Sequence, residues 1–250
     1  MVDALEIFFS NSQWRSFVLS LIDYTSLNES DSVESIQFFC QTALDLPEPV
    51  AALCIYPQFV KQVKMALRGS GIKVATVANF PAGNQDVSHV TASIRGSIDA
   101  GADEIDVVFP YQMYMQSNHD TPFELIEQCV DACHNGIQLK VILETGVLQD
   151  PALIQKISQR LIFSGVNFLK TSTGKTKIGA TIDAVSTLLT TIQTTKSDVG
   201  IKISGGVRSV EQAANYIALA QKTMGFSWVS AQHFRLGASH LVAAIIKSNS

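Results

Sequence analysis

The stretch GADEIDVVFP, residues 101–110, reads as a β-strand with charge on one side. Side chains on a strand alternate between two faces. Glu104, Asp106 and Val108 therefore share one face, and Ile105, Val107 and Phe109 share the other. A helical pattern at Ser88–Ala100 precedes the stretch, with Gly101 as its stop. Another follows at Pro122–Cys133, opening on a proline whose missing N–H is harmless in a first turn.

The same strand-then-helix unit recurs along the chain. Strands are expected at Phe17–Thr25, Val50–Tyr56, Lys73–Phe80, Glu104–Phe109, Gln138–Thr145, Asn167–Ser172, Gly200–Ser204 and His233–Leu236. Helical patterns lie at Gln58–Leu67, Ser88–Ala100, Pro122–Cys133, Pro151–Phe163, Val210–Ala220 and Ser239–Lys247. SWVSA at 227–231 competes for the last strand. Eight such units in 250 residues, with no linker or low-complexity break, predict an α/β single-domain (β/α)₈ TIM barrel over residues 1–250. A short N-terminal helical extension precedes it. An open doubly wound sheet would want a GxGxxG after its first strand, and none is there.

Composition narrows the function classes. Charged residues make up 16% of the chain, against roughly 25% in typical domains. The net charge of −4 argues against nucleic acid as a partner. No apolar run approaches the ~20 residues that span a bilayer, and the N-terminus lacks a basic region and cleavage site, so a cytoplasmic protein is expected. Cys129, Cys133 and His134 sit close together, but no second ligand pair has zinc spacing. The expectation is two packed apolar cysteines and no metal.

In so charge-poor a chain, charges inside apolar strand runs stand out. Asp23, Glu104, Asp106, Lys140, Glu144, Lys170 and Lys202 all occupy such runs. Alternation turns them toward the barrel interior, and unpaired buried charge is expensive, so the set is expected to be mutually compensating. Lys170 and Lys202 fall on neighbouring strands. A second ammonium ~5 Å away at an effective dielectric near 20 lowers an amine's pKa by roughly two units. Desolvation acts in the same direction. An amine so treated can attack a carbonyl and form a Schiff base, whose iminium is an electron sink for carbon–carbon cleavage. Asp106 is a candidate for moving protons.

Two glycine loops follow the seventh and eighth strands: Gly205-Gly206-Val207-Arg208 and Gly237-Ala238-Ser239. These are the usual phosphate loops of a barrel. Gly174 and Lys175 follow the sixth strand. Gly174-Lys175-Thr176 is not the end of a Walker A loop, because position 169 is Leu169 where that motif needs glycine.

These residues resemble the deoxyribose-phosphate aldolases. The resemblance rests on Asp23-Tyr24-Thr25, AALCIYP (51–57), ATVANFPAGN (75–84), GADEIDVVFP, LKVILETG (139–146), FLKTSTGK (168–175), KISGGVR (202–208) and RLGAS (235–239). It implies a metal-free, cofactor-free class I aldolase. Such an enzyme reversibly cleaves 2-deoxy-D-ribose 5-phosphate to D-glyceraldehyde 3-phosphate and acetaldehyde, in cytoplasmic deoxyribonucleotide catabolism. Lys170 would be the Schiff-base lysine, Lys202 the second lysine that tunes it, and Asp106 the proton-relay carboxylate. Asp23, Thr25, Cys54, Lys140 and Thr173 would border the sugar. Gly174, Lys175, Gly205, Gly206, Arg208, Gly237 and Ser239 would hold phosphate. A homodimer fits the family. Another Schiff-base aldolase acting on a phosphorylated sugar, or a non-catalytic phosphosugar-binding barrel, are the alternatives.

Three features depart from the family pattern. His240 stands where a second serine is common, and Ile203 replaces a small residue after Lys202. Residues 1–15 have no counterpart, and Phe8, Phe9 and Trp14 are expected to form a contact surface.

Overall fold

The computed structural model describes residues 11–134 and 136–247. Eight parallel strands close into a barrel in simple sequential order, β8 returning to β1. The order begins α1 (Asn11–Ser20), β1 (Ile22–Thr25), α2 (Val33–Leu44), β2 (Ala52–Ile55), α3 (Val60–Ala66), β3 (Lys73–Ala78) and α4 (Val87–Asp99). Then come β4 (Glu104–Val108), α5 (Tyr111–Met115), α6 (Thr121–Ala132), β5 (Gln138–Ile142), α7 (Thr145–Leu148), α8 (Pro151–Phe163) and β6 (Phe168–Lys170). The last elements are α9 (Ile182–Thr195), β7 (Gly200–Ser204), α10 (Val210–Met224), β8 (Phe234–Ala238) and α11 (Leu241–Lys247).

Local chemistry explains the helix starts. Ser32 and Ser35 form a capping box on α2, and Ser209 with Gln212 forms one on α10. Asp150 accepts from the Ala152 N–H ahead of Pro151, and Thr181 accepts from the Ala184 N–H.

Alternation along each strand builds two separate apolar layers. Outward residues such as Leu53, Ile55, Ile105, Val107, Ile201 and Ile203 join the helices in the main core. Ile203 is thus a packing residue on the helix side. Inward residues of β2 and β3 form a small second cluster, with Ala52, Cys54, Ala75 and Val77 beside Leu27. The interior of the other strands is filled mainly by charge, with the Phe168 ring beside Arg235 on the face of β6 that carries Lys170.

Several sequence expectations need correction. Phe17–Thr25 is not one strand: α1 runs to Ser20 and only Ile22–Thr25 is extended. Short apolar runs fit a buried helix end as well as a strand, and Val18, Leu19 and Leu21 are buried in either case. Helices α2 and α9 have no counterpart in the expected set; α9 is rich in threonine, a weak helix former. The fifth strand stops at Ile142, because Glu144 adopts a left-handed φ of 56°. Phe226–Trp228 is a 3₁₀ turn, so SWVSA does not displace β8. Trp14 packs half-buried against the core; Phe8 and Phe9 lie outside the described residues. No described helix is long and apolar enough to cross a membrane.

Candidate active site

Strand register brings seven charged side chains into one buried network. Asp106 pairs with Lys140, Lys170 with Lys202, and Lys202 with Arg235 across successive strands. Asp106 is the hub. Its Oδ1 lies 2.9 Å from Lys140 Nζ, and its Oδ2 accepts from Lys170 Nζ at 2.8 Å and Lys202 Nζ at 2.7 Å. Asp23 Oδ2 is 2.6 Å from Lys202 and 3.6 Å from Lys140, while its Oδ1 accepts from Arg235 at 2.6 Å. Glu104 accepts from Lys140 at 2.5 Å and from Arg235 Nη2 at 3.0 Å.

Four cations therefore face three carboxylates: Lys140, Lys170, Lys202 and Arg235 against Asp23, Glu104 and Asp106. Fully ionised, the network carries one positive charge too many in a medium where unpaired charge is costly. Its cations are not equally held. Lys140 reaches three carboxylates and Lys202 reaches two, whereas Lys170 reaches only Asp106.

The proton affinities follow that ranking. Burial pulls Lys170 below the ordinary lysine value; Asp106 opposes the pull and Lys202 adds to it. Burial also acts against Lys202, but Asp106 and Asp23 outweigh it and hold its ammonium firmly protonated. Lys140 is raised the same way by Asp106, Glu104 and Asp23. Burial pushes Asp106 up, yet Lys140, Lys170 and Lys202 overcome it and keep the carboxylate well below its usual range.

Lys170 is also where the network meets a cleft of about 220 Å³ at the C-terminal ends of the strands. Of the residues expected to bind substrate or phosphate, Thr25, Thr173, Gly174, Lys175, Gly205, Gly206, Arg208, Gly237 and Ser239 line this cleft. Asp23, Cys54, Asp106, Lys140 and Lys202 lie beneath it, fully buried. Burial raises the Cys54 thiol pKa, which keeps it a neutral wall group.

The glycine loops suit an anion. Gly205 and Gly206 have φ of 84° and 100°, and the N–H groups of Gly205, Gly206 and Val207 meet no acceptor among the described residues. The Arg208 N–H is taken by Gln212 Oε1 at 2.8 Å, and its guanidinium is exposed. Lys175 Nζ donates to the Leu27 carbonyl at 2.6 Å, so it ties the loop after β1 to the cleft rim. His240 and Ser204 also border the cleft, as does Asn28, which sequence reasoning missed.

Two further placements differ from expectation. Glu144 stays outside the charge network; it is buried and accepts from the Thr173 and Thr176 hydroxyls, bracing the loop that follows Lys170. Arg235 was passed over although it sits two residues before Gly237 on one strand face, the same alternation signal that marked the other charges. Cys129 and Cys133 are buried with thiols pushed up to about 12, chiefly by burial. Among the described residues no group of His, Cys, Asp or Glu is placed to hold a metal ion.

A family model described as DeoC/LacD family aldolase matches residues 17–233. Among solved structures, QR15, an aldolase, is 26% identical with a TM-score of 0.79, covering 93% of this chain and 97% of that one. A protein from Coccidioides immitis, assigned as a deoxyribose-phosphate aldolase, superposes with a TM-score of 0.84 at 23% identity, covering 97% and 99% of the two chains. A tetrameric deoxyribose phosphate aldolase from Aeropyrum pernix gives 0.79 at 23% identity, covering 94% and 92%. At these two lower identities the likeness is one of fold.

Proposed function

The chain belongs to the DeoC/LacD aldolase family, and from that membership we propose that it is a class I deoxyribose-phosphate aldolase acting through a Schiff base on Lys170. The observation that carries the proposal is the weak hold on Lys170, the one lysine of the network at the cleft, where a single shared carboxylate oxygen accepts from it at 2.8 Å. The neutral amine attacks the C1 aldehyde of open-chain 2-deoxyribose 5-phosphate. Loss of water from the carbinolamine gives the iminium. The C3 hydroxyl then loses its proton as the C2–C3 bond breaks, and that bond's electron pair becomes the enamine. D-Glyceraldehyde 3-phosphate leaves; protonation at C2 and hydrolysis release acetaldehyde and the free lysine. Asp106 Oδ2, shared by Lys170 and Lys202, gives these protons a carboxylate within reach of both amines. Gly205, Gly206, Gly237, Ser239 and Arg208 would take the phosphate, with Gly174 and Lys175 closing its far side. Residues 1–250 would work as one domain, as a cytoplasmic homodimer in deoxyribose phosphate catabolism.

The test is reductive trapping. Borohydride with acetaldehyde is expected to place one adduct on Lys170, mapped by mass spectrometry. An adduct elsewhere, or none, overturns the mechanism and returns the chain to a binding role. Activity is expected to survive EDTA within assay error; a large loss would point to a metal enzyme.

Lys202→Leu tests the tuning. Lys170 and Lys202 each touch Asp106 Oδ2, at 2.8 and 2.7 Å, so their ammoniums are close neighbours. At an effective dielectric near 20 that repulsion is worth about 3 kcal/mol, or roughly two pKa units on Lys170. Removing it is expected to move the acid limb of the kcat/KM profile to higher pH by one to two units. An unmoved limb contradicts the role.

Gly237→Ala tests the packing. A Cβ there would stand 2.9 Å from Ser204 Cβ and 3.1 Å from Lys202 Cε. The crowding is expected to displace Lys202 and lower kcat by about 10- to 100-fold, with about 1–3 kcal/mol lost from stability. Steady-state rates and urea unfolding would show both.

A further inference from the structure

The charge count has a member that no step of the proposed reaction touches. Arg235 borders not the cleft but a cavity of about 550 Å³ at the opposite mouth of the barrel, which Glu104 and Gln138 also line. Its side chain is buried, 4% exposed. Its guanidinium is held by Asp23 at 2.6 Å, Glu104 at 3.0 Å and the Ala231 carbonyl, with the Phe168 ring 5.7 Å away. It holds Asp23 and Glu104 at the floor, so Lys202 and Lys140 share Asp106 with Lys170. Remove Arg235 and three lysines face three carboxylates, leaving no excess charge to expel.

We infer that Arg235 is a positioning residue: from the floor of the barrel it supplies the surplus positive charge that makes Lys170 the amine without a proton. The inference rests on Lys170 being the reacting amine. Arginine suits the task because it does not give up its own proton. The groups facing Lys170 inside the barrel leave no other outlet. They are Asp23 on β1, Cys54 on β2, Glu104 and Asp106 on β4, Lys140 on β5 and Lys202 on β7; β3 turns Ala75 and Val77 inward, and Lys73, which begins that face, is exposed to solvent at the opposite mouth. Lys140 and Lys202 each hold more carboxylate contacts than Lys170, so the proton leaves from Lys170.

The test measures acetaldehyde–borohydride trapping at Lys170 against pH, in the full chain, by mass spectrometry. In Arg235→Met the acid limb of trapping is expected to rise by about one pH unit, the Coulomb scale of one charge removed from inside the barrel. Arg235→Lys, which keeps the charge, is expected to stay near wild type. Should Arg235→Met fail to fold, Arg235→Met combined with Glu104→Gln removes one charge of each sign and restores the surplus; its limb is expected at the wild-type position. Glu104→Gln alone, which enlarges the surplus, is expected to move the limb down. A folded Arg235→Met with trapping on Lys170 and an unmoved limb overturns the inference while leaving the Schiff base intact. Absence of any Lys170 adduct in the wild type overturns the proposed function itself, and the inference with it.

Discussion

Replacing Lys170 by methionine is expected to lower turnover about 10⁴-fold or more, and to leave the barrel at least as stable as before. The first effect follows from removing the nucleophile. The second follows from charge. Lys170 is buried and its ammonium is the least compensated of the network, touching Asp106 alone. Methionine is a near match in length, and volume-conserving swaps in a core cost less than ~1.5 kcal/mol. After the change, three cations face three carboxylates, and Asp106 still holds Lys140 at 2.9 Å and Lys202 at 2.7 Å. The pH dependence has a definite sign. Because the folded Lys170 has a lowered pKa, the unfolded chain binds more protons between that value and the ordinary lysine value, so wild-type stability rises with pH through that window. The stability advantage of Lys170→Met is therefore largest at neutral pH and fades as the ordinary lysine value is reached. Melting curves from pH 7 to 10 measure it. A variant several degrees less stable at neutral pH would mean that the Lys170 ammonium stabilises the fold, contrary to its place in the network.

Period-two alternation carried most of this site. It put Asp106, Lys140, Lys170 and Lys202 on inward faces, because a buried parallel strand has no other reason to interrupt an apolar run with charge. It failed where the chain leaves the strand: Glu144 has φ 56°, so its side chain follows the turn and braces Thr173 and Thr176. It also failed where length decides between helix and strand, as at Phe17–Leu21, which is the end of α1 and its exit. What alternation cannot give is partnership. Arg235 Nη1 meets Asp23 Oδ1 across 212 residues of sequence, where β8 closes on β1. A face assignment has no means of showing that this closure ties up Asp23. Nor does it show that Lys170 is left with one shared oxygen.

That partnership gives Asp106→Asn an effect opposite in direction to Lys202→Leu, although both residues touch Lys170 through the same oxygen. Asparagine keeps the shape of the hub but removes its charge. Four cations then face only Asp23 and Glu104, and breaking a buried charge cluster in this way costs about 3–5 kcal/mol. Asp106 is the foremost influence raising the Lys170 pKa, so its loss drives Lys170 further toward the neutral amine and moves the acid limb of kcat/KM to lower pH. Turnover is nevertheless expected to fall about 10²- to 10⁴-fold, because no carboxylate then links the two lysines for proton transfer. The stability difference also has a sign. Asp106 is held below its usual range, so its contribution is present above the ordinary aspartate value and disappears as pH falls through the lowered one. The urea midpoints of wild type and variant are thus expected to differ most near pH 7 and to converge in strong acid. If Asp106→Asn and Lys202→Leu moved the limb in the same direction, the protonation of Lys170 would not be set by the balance of charge around it. The small supply of charge in this chain would then have some other reason for being concentrated inside the barrel.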